Sequence, residues 1–257
     1  LVVGCGPAGF TLAHELLRAG HQVVAIDGLK IEPDPHDGQP IVDAESLREP
    51  LDTRVAAGFG GVAEYGITVR WDKNYLRLIR RLLERWPRFR LFGGVRLGST
   101  LDLDQAFATG FDHVALAVGA GRPTVLDIPG GLANGVRAAS DFLMALQLTG
   151  AAREDSLANL ELRLPAVVVG GGLTAIDAAT EARAYYAVQV EKMLRRFEAL
   201  PLPEQRAQRD DPDLQVFLEH ARALREADAL PGTQAAEARH ALIEQWGGVT
   251  IAYRRRL

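Results

Sequence analysis

Apolar residues fall into two patterns along this chain: short unbroken runs, and longer stretches in which they recur every three or four positions. Leu1-Val2-Val3 is a short run that breaks at Gly4. Phe10, Ala13, Leu16 and Leu17 then repeat at helical spacing, Gly20 ends the helix as a left-handed cap would, and Val23-Val24-Ala25-Ile26 forms a second short run closed by Asp27. The predicted order is strand, turn, helix, strand. It begins again at Ala166-Val167-Val168-Val169, read as a buried strand, turns at Gly170-Gly171-Gly172, and enters a helix through Ile176, Ala179 and Ala182. Here the closing strand is delayed. From about Tyr185 to Trp246 the sequence is charged and helix-favouring, and only Val249-Thr250-Ile251-Ala252-Tyr253 supplies the strand. The intervening stretch predicts about three helices. One covers roughly 182–199 and closes at Leu200-Pro201-Leu202-Pro203. A second starts at Asp213 as N-cap, with Leu214, Phe217, Leu218, Ala221 and Leu224 on one face. A third runs from about Thr233, with Ala238, Leu242 and Ile243 inward. A solvent-facing elaboration is the expected role of this stretch, and a docking surface for a redox partner or another subunit is the sharper alternative. The chain opens on a very short strand and stops just after another, so both ends are expected to continue into flanking sequence.

The two turns carry the candidate chemistry. Gly4-Cys5-Gly6-Pro7-Ala8-Gly9 has the Gly-x-Gly-x-x-Gly form, placed after a strand and before a helix. Gly4 permits the tight turn, Gly6 lets a pyrophosphate approach the backbone, and Gly9 lets helix and strand pack closely. Pro7 and Ala8 open a helix whose free N–H groups and positive dipole end suit phosphates. Asp27, at the end of the next strand, is placed to accept hydrogen bonds from a ribose. Gly170-Gly171-Gly172-Leu173-Thr174-Ala175 has the related Gly-x-Gly-x-x-Ala form. Arg254 and Arg255 stand at the tip of its closing strand, where Asp27 stands in the first unit. An acid there favours a free 2′-hydroxyl, whereas arginine favours a 2′-phosphate through charge-assisted, often bidentate bonds. Two such units predict two bound dinucleotides and electron transfer between them. A duplication with one site lost is the alternative.

Composition narrows this only a little. With 47% hydrophobic and 24% charged residues among 257, the chain is neither disordered nor fibrous. A net charge of −4 and no basic run of note before Arg254-Arg255-Arg256 exclude a nucleic-acid binder as the expected class. The single cysteine, Cys5, excludes a Cys-x-x-Cys pair or a cysteine-ligated cluster within this segment, and its place inside the phosphate turn argues against a redox role. Apolar runs of strand length exclude a bilayer-spanning segment, and a cytoplasmic location is expected. The six histidines, His14, His21, His36, His113, His220 and His240, show no metal-ligand spacing, so no metal is expected. Asp102 and Asp104 read as a turn and helix start.

Further stretches carry a family resemblance: Gly60-Gly61-Val62-Ala63-Glu64-Tyr65-Gly66-Ile67, Ala115-Leu116-Ala117-Val118-Gly119-Ala120, Ile128-Pro129-Gly130, Gly170-Gly171-Gly172-Leu173-Thr174-Ala175-Ile176-Asp177-Ala178-Ala179, and Tyr253-Arg254-Arg255. With the two glycine turns, they resemble the FAD- and NADPH-binding module of the glutamate synthase small subunit and the related modules of dihydropyrimidine dehydrogenase and adrenodoxin-type ferredoxin reductases. The departures are Thr68 for a proline, Trp71-Asp72-Lys73 for Leu-Pro-Lys, Val118 for threonine, Leu173 for asparagine or aspartate, and the long helical stretch.

The resemblance implies an α/β fold of two Rossmann-like, three-layer dinucleotide-binding domains, the second interrupted by the helices. An FAD-binding domain would span 1–125 and an NADPH-binding domain 126–257, with the insertion at 185–246. FAD would meet Gly4, Gly6, Pro7, Ala8, Gly9, Asp27, Gly60, Gly61, Val62, Arg70, Val95 and Gly119. NADPH would meet Gly170, Gly171, Gly172, Leu173, Thr174, Arg254 and Arg255. The implied activity passes hydride from NADPH to FAD, with no catalytic acid or base from the protein. Electrons would continue to a partner domain or subunit, an iron–sulfur acceptor being one candidate. The competing readings are a thioredoxin-reductase- or monooxygenase-like flavoenzyme, an NADH-specific enzyme, and a flavin-binding scaffold with a vestigial nucleotide site.

Overall fold

The computed structural model describes residues 1–29, 31, 39–43, 75–119, 127–158, 160–208 and 210–254. These form two compact units, one drawn from 1–128 with 147–150, the other from 129–146 with 151–254.

The first unit is built on a parallel sheet. Strands β1 (Val2–Val3), β2 (Val23–Asp27), β3 (Phe89–Gly93) and β4 (Ala115–Leu116) lie in the order β3-β2-β1-β4, the strand order of one half of a doubly wound nucleotide-binding sheet. Helix α1 (Pro7–Arg18) follows the first turn and buries Gly9, Ala13 and Leu17 against the sheet. Leu17 is completely enclosed, and a leucine so buried contributes about 2 kcal/mol. Val2, Cys5, Val23, Ala25, Leu83 and Phe89 complete this core. Leu83 comes from α2 (Tyr75–Glu84). The predicted stop at Gly20 is present: its φ is +98°, its N–H donates to the Leu17 carbonyl, and the His21 N–H donates to the Leu16 carbonyl. Arg88 adds a cap the sequence did not announce. Its guanidinium donates to the Gly20 and Leu17 carbonyls at 2.7 and 3.2 Å, a cation at the negative end of the helix. Helix α3 (Leu103–Ala108) begins in a capping box in which Asp102 accepts from the Gln105 N–H and the Gln105 side chain accepts from the Asp102 N–H.

The second unit contains most of α4 (Ala139–Leu148) and pairs β5 (Ala166–Val169) with β6 (Val249–Ala252) in parallel. Two expectations are corrected here. The strand at 166–169 is not enclosed on both faces: Val167 and Val169 are 63% and 64% exposed, because among the described residues the helices cover one face of this strand pair. Nor does the insertion begin with a helix of its own. The helix that leaves the glycine turn, α5 (Leu173–Ala199), runs unbroken for 27 residues, about 40 Å. Small residues Ala175, Ala178, Ala179 and Ala182 face the strands. Larger ones, Tyr186, Val190 and Leu194, continue the same buried stripe against the later helices. No glycine or proline interrupts that stripe, so one helix changes from sheet packing to helix packing along its length.

The remaining insertion comprises the short α6 (Leu202–Ala207), α7 (Pro212–Asp228) and α8 (Thr233–Gln245). Helix α7 is capped by Asp211, not Asp213. The Asp211 carboxylate accepts from the Asp213 and Leu214 N–H groups, and Pro212 takes the first helical position, where a missing N–H costs nothing. Phe217, Leu218, Ala221 and Leu224 are buried as expected. Arg225 of α7 bridges Glu191 and Glu198 of α5 at 2.8 and 3.0 Å, a half-exposed network.

His220, unassigned by its spacing, sits in an aromatic cluster with Tyr186 and Trp246. Its ring stacks on Trp246 at 3.7 Å and 10°. Burial pushes the Tyr186 phenol up to about 12, so it keeps its proton, and its hydroxyl is hydrogen-bonded with His220 Nδ1 at 2.6 Å. Burial of the imidazole in turn holds His220 below its ordinary value of 6.5, with Glu219 partly opposing. At a pH above that value folded and unfolded chains both carry the neutral ring. Below it the unfolded chain takes up a proton that the folded chain resists, so stability falls as pH drops. The melting temperature of His220→Asn should therefore fall less steeply between about pH 7 and about pH 5.5 than that of the parent. Equal slopes would remove His220 as the cause.

Candidate functional site

At the carboxyl edge of the first sheet the strand ends gather most of the predicted residues of that unit. This is the edge where open parallel sheets bind ligands. The three glycines of the first turn differ in what they do. A Cβ added at Gly9 would lie 1.8 Å from the Gly4 carbonyl oxygen, and one at Gly4 would lie 2.3 Å from the Ala117 carbonyl oxygen. Gly4 also has φ +98°. These two glycines let α1, β1 and the segment after β4 approach one another. A Cβ at Gly6 would meet nothing within 4 Å. Gly6 caps α1 without a side-chain hydrogen bond, Pro7 follows in the first turn, and Pro7 and Ala8 are exposed. No side chain competes for the first amides of the helix, so an open, positively polarised cradle faces outward. That is the shape and charge a pyrophosphate requires.

Asp27 closes the cradle. It is 7% exposed, and its carboxylate accepts from the Cys5 N–H at 2.9 Å and the Leu29 N–H at 3.0 Å. The predicted ribose ligand is thus also a bolt on the turn itself, which spacing alone did not reveal. Cys5 lies beneath. Burial first, and the Asp27 charge second, push its thiol up to about 12, so it remains a thiol and not a nucleophile. Val95 follows β3, and its N–H donates to the Asp27 carbonyl. Gly119, with φ +75° and open space where a side chain would stand, follows β4. Gly60, Gly61, Val62 and Arg70 lie outside the described residues.

The second turn repeats the geometry. The Gly170 N–H donates to the Ala252 carbonyl at 2.9 Å, as the Gly4 N–H does to the Ile26 carbonyl at 2.8 Å. Gly170 has φ +139°, Gly172 caps α5 with no side-chain bond and open space around it, Leu173 and Thr174 are exposed, and Ala175 packs beneath. Register, however, refines one expectation. Val3 pairs with Ile26 and Val169 with Ala252, so the residue one step beyond Ala252, in the place of Asp27, is Tyr253. Arg254 falls one position further, exposed, and Arg255 lies outside the described residues. The Tyr253 ring rests on Gly171, where an added Cβ would meet it at 2.0 Å. Sequence reasoning had valued Tyr253 only as part of the Tyr-Arg-Arg resemblance. Among the described residues no helix is long and apolar enough to cross a membrane.

Comparison with known proteins agrees with this geometry. A family model described as pyridine nucleotide-disulphide oxidoreductase matches residues 1–222. A Rickettsia prowazekii protein of uncharacterised function, RP006, is 44% identical over all of this chain, which covers 35% of it. The glutamate synthase [NADPH] small chain of Mycobacterium tuberculosis is 28% identical over 79% of this chain and 36% of its own length. The NADPH-ferredoxin reductase FprA of Mycobacterium leprae is 29% identical over 68% of this chain and 34% of its own. The chain thus spans about a third of the length of these relatives. The solved structure of FprA, a Mycobacterium tuberculosis oxidoreductase, superposes with a TM-score of 0.50 at 18% identity, over 98% of this chain and 58% of that one, a likeness of fold.

Proposed function

Since this chain belongs to the pyridine nucleotide-disulphide oxidoreductase family, we propose that it is the nucleotide-binding part of a flavoenzyme that takes hydride from NADPH onto FAD and passes the electrons to a partner domain or an iron–sulfur acceptor. The family is one of NAD(P)H-dependent flavin oxidoreductases, and two relatives carry NADPH in their names. One observation carries the assignment of the two sites. The same strand–turn–helix–strand unit occurs twice with matching register, but the partner strand ends in Asp27 in one copy and is followed by Tyr253-Arg254 in the other.

The first unit, near 1–125, would hold FAD. The α1 amides and Gly6 would face the pyrophosphate, Asp27 the ribose and the Val95 backbone the adenine, with Gly60, Gly61, Val62, Arg70 and Gly119 toward the flavin. The second unit, near 126–257, would hold NADPH through Gly170, Gly171, Gly172, Leu173 and Thr174. There Asp27 has no counterpart to repel a 2′-phosphate, and Arg254 and Arg255 supply the cations that attract one. The flavin supplies the hydride-accepting chemistry. The protein orients the nucleotides and provides no acid or base.

Anaerobic titration of the full-length protein should bleach the flavin's visible absorbance at low NADPH and leave it intact at equal NADH. Arg254→Ala should weaken NADPH by about 2 kcal/mol, roughly thirtyfold, and leave NADH nearly unchanged. Equal loss for both nucleotides would take Arg254 off the 2′-phosphate. A yellow protein bleached by neither nucleotide would overturn the reductase reading and leave a flavin-binding scaffold.

A further inference from the structure

The helical insertion contains a cleft that the dinucleotide reading does not use. Its volume is about 300 Å³, at the small end of ligand sites. It lies along the far half of α5, beside the segment before β5, the end of α6 and the start of α7. Lys192 is 19 residues beyond Leu173, about 28 Å along the helix, so the cleft is separate from the glycine turn. Met193, Phe197, Leu200 and Leu214 give it an apolar wall.

The polar lining is one-sided. It includes Lys192 and Arg196, and no carboxylate is among the described lining residues. Lys192 is 8% exposed. Its ammonium donates to the Ala151 and Ala158 carbonyls at 3.0 and 3.3 Å, which accounts for two of its three donors and for none of its charge. Burial first, and then the neighbouring Arg196, hold its pKa below the ordinary lysine value, with Asp155 opposing. Arg196 is anchored to the Ser156 and Glu154 carbonyls. The acids nearby are already engaged: Asp155 with Arg153, Glu154 with Arg195, and Glu191 with Arg195 and Arg225. A buried cation held by neutral carbonyls beside an apolar wall is costly unless an anion joins it.

From this juxtaposition we infer that the insertion is a binding site for a small monocarboxylate with an apolar body, its carboxylate on Lys192 and Arg196 and its body against Met193, Phe197 and Leu214. This site is independent of the nucleotide assignment. The test is calorimetric titration of the full-length flavin-loaded protein with 3-phenylpropanoate and with its neutral amide. The acid should bind at least about tenfold more tightly than the amide, because only it forms charge-assisted bonds. Lys192→Met combined with Arg196→Met should remove that preference, and Leu214→Trp, which fills the cleft from its half-buried edge, should weaken acid and amide alike. Bleaching of the flavin by NADPH should be unchanged in both variants. Absent binding of the acid, or equal binding of acid and amide, overturns the inference without any variant having to fold. So does a folded double variant, Lys192→Met with Arg196→Met, that keeps the preference.

Discussion

Gly9→Ala should unfold or cripple the first unit, whereas Gly6→Ala, three residues earlier in the same motif, should leave its fold intact. The added Cβ at Gly9 would stand 1.8 Å from the Gly4 carbonyl oxygen, a backbone atom of the turn that leaves β1. Relief requires α1 to move off β1. That movement would open the contact of Ala13 and Leu17 with Val2 and Val23. The cost should be about 4 kcal/mol, at the upper end for overpacking because no flexible side chain can yield. At Gly6 the Cβ enters open space and the φ of −73° suits alanine, so the melting temperature of the flavin-free protein should stay within a degree or two of the parent. Yet that space is where the pyrophosphate would lie, so Gly6→Ala should retain far less FAD through purification. Thermal melts of the flavin-free proteins and the flavin-to-protein absorbance ratio of the purified ones read the two effects separately. A Gly9→Ala protein that melts like the parent would show that the close approach is not there. A Gly6→Ala protein with full flavin would remove the pyrophosphate from the cradle.

The contrast also shows what the sequence could disclose. Gly4, Gly6 and Gly9 were legible as a set because a strand, a turn and a helix flanked them, and Gly20 because a left-handed glycine cap ends a helix predictably. Pairwise geometry was not legible. Arg88 lies 71 residues from the Leu17 carbonyl it caps, and no local pattern marks such a contact. Asp213 looked like the cap of α7 because it precedes Leu214, but the proline at 212 fits the first helical position better than any earlier place, which moves the cap to Asp211. The continuity of α5 was hidden by composition. Its charged residues suggested a new segment, although the buried positions from Ala175 to Leu194 keep one helical stripe throughout. Tyr253 was overlooked for a similar reason: only the strand register shows that it, and not Arg254, stands in the place of Asp27.

Asp27 should prove to be needed twice, once for the turn and once for the nucleotide. Its carboxylate holds the Cys5 and Leu29 N–H groups from a nearly buried position. Asp27→Ala leaves both donors without that acceptor, and each such loss costs about 1–3 kcal/mol, so the flavin-free protein should lose about 4 kcal/mol. Asp27→Asn does not rescue it fully. The amide carbonyl can accept one N–H, but its NH2 group then confronts the other, donor against donor, and about half of the loss should remain. If Asp27 also meets a ribose, the stabilisation gained on adding FAD must shrink as well, because a ligand stabilises the folded chain in proportion to the logarithm of its concentration over Kd. Melting each protein with and without saturating FAD separates the two roles. A deficit confined to the flavin-free melt would make Asp27 a fastener of the turn and nothing more. An additional loss of the FAD-dependent shift in Asp27→Asn would place the ribose on this carboxylate. A flavin-free Asp27→Asn protein as stable as the parent would contradict the two backbone bonds themselves.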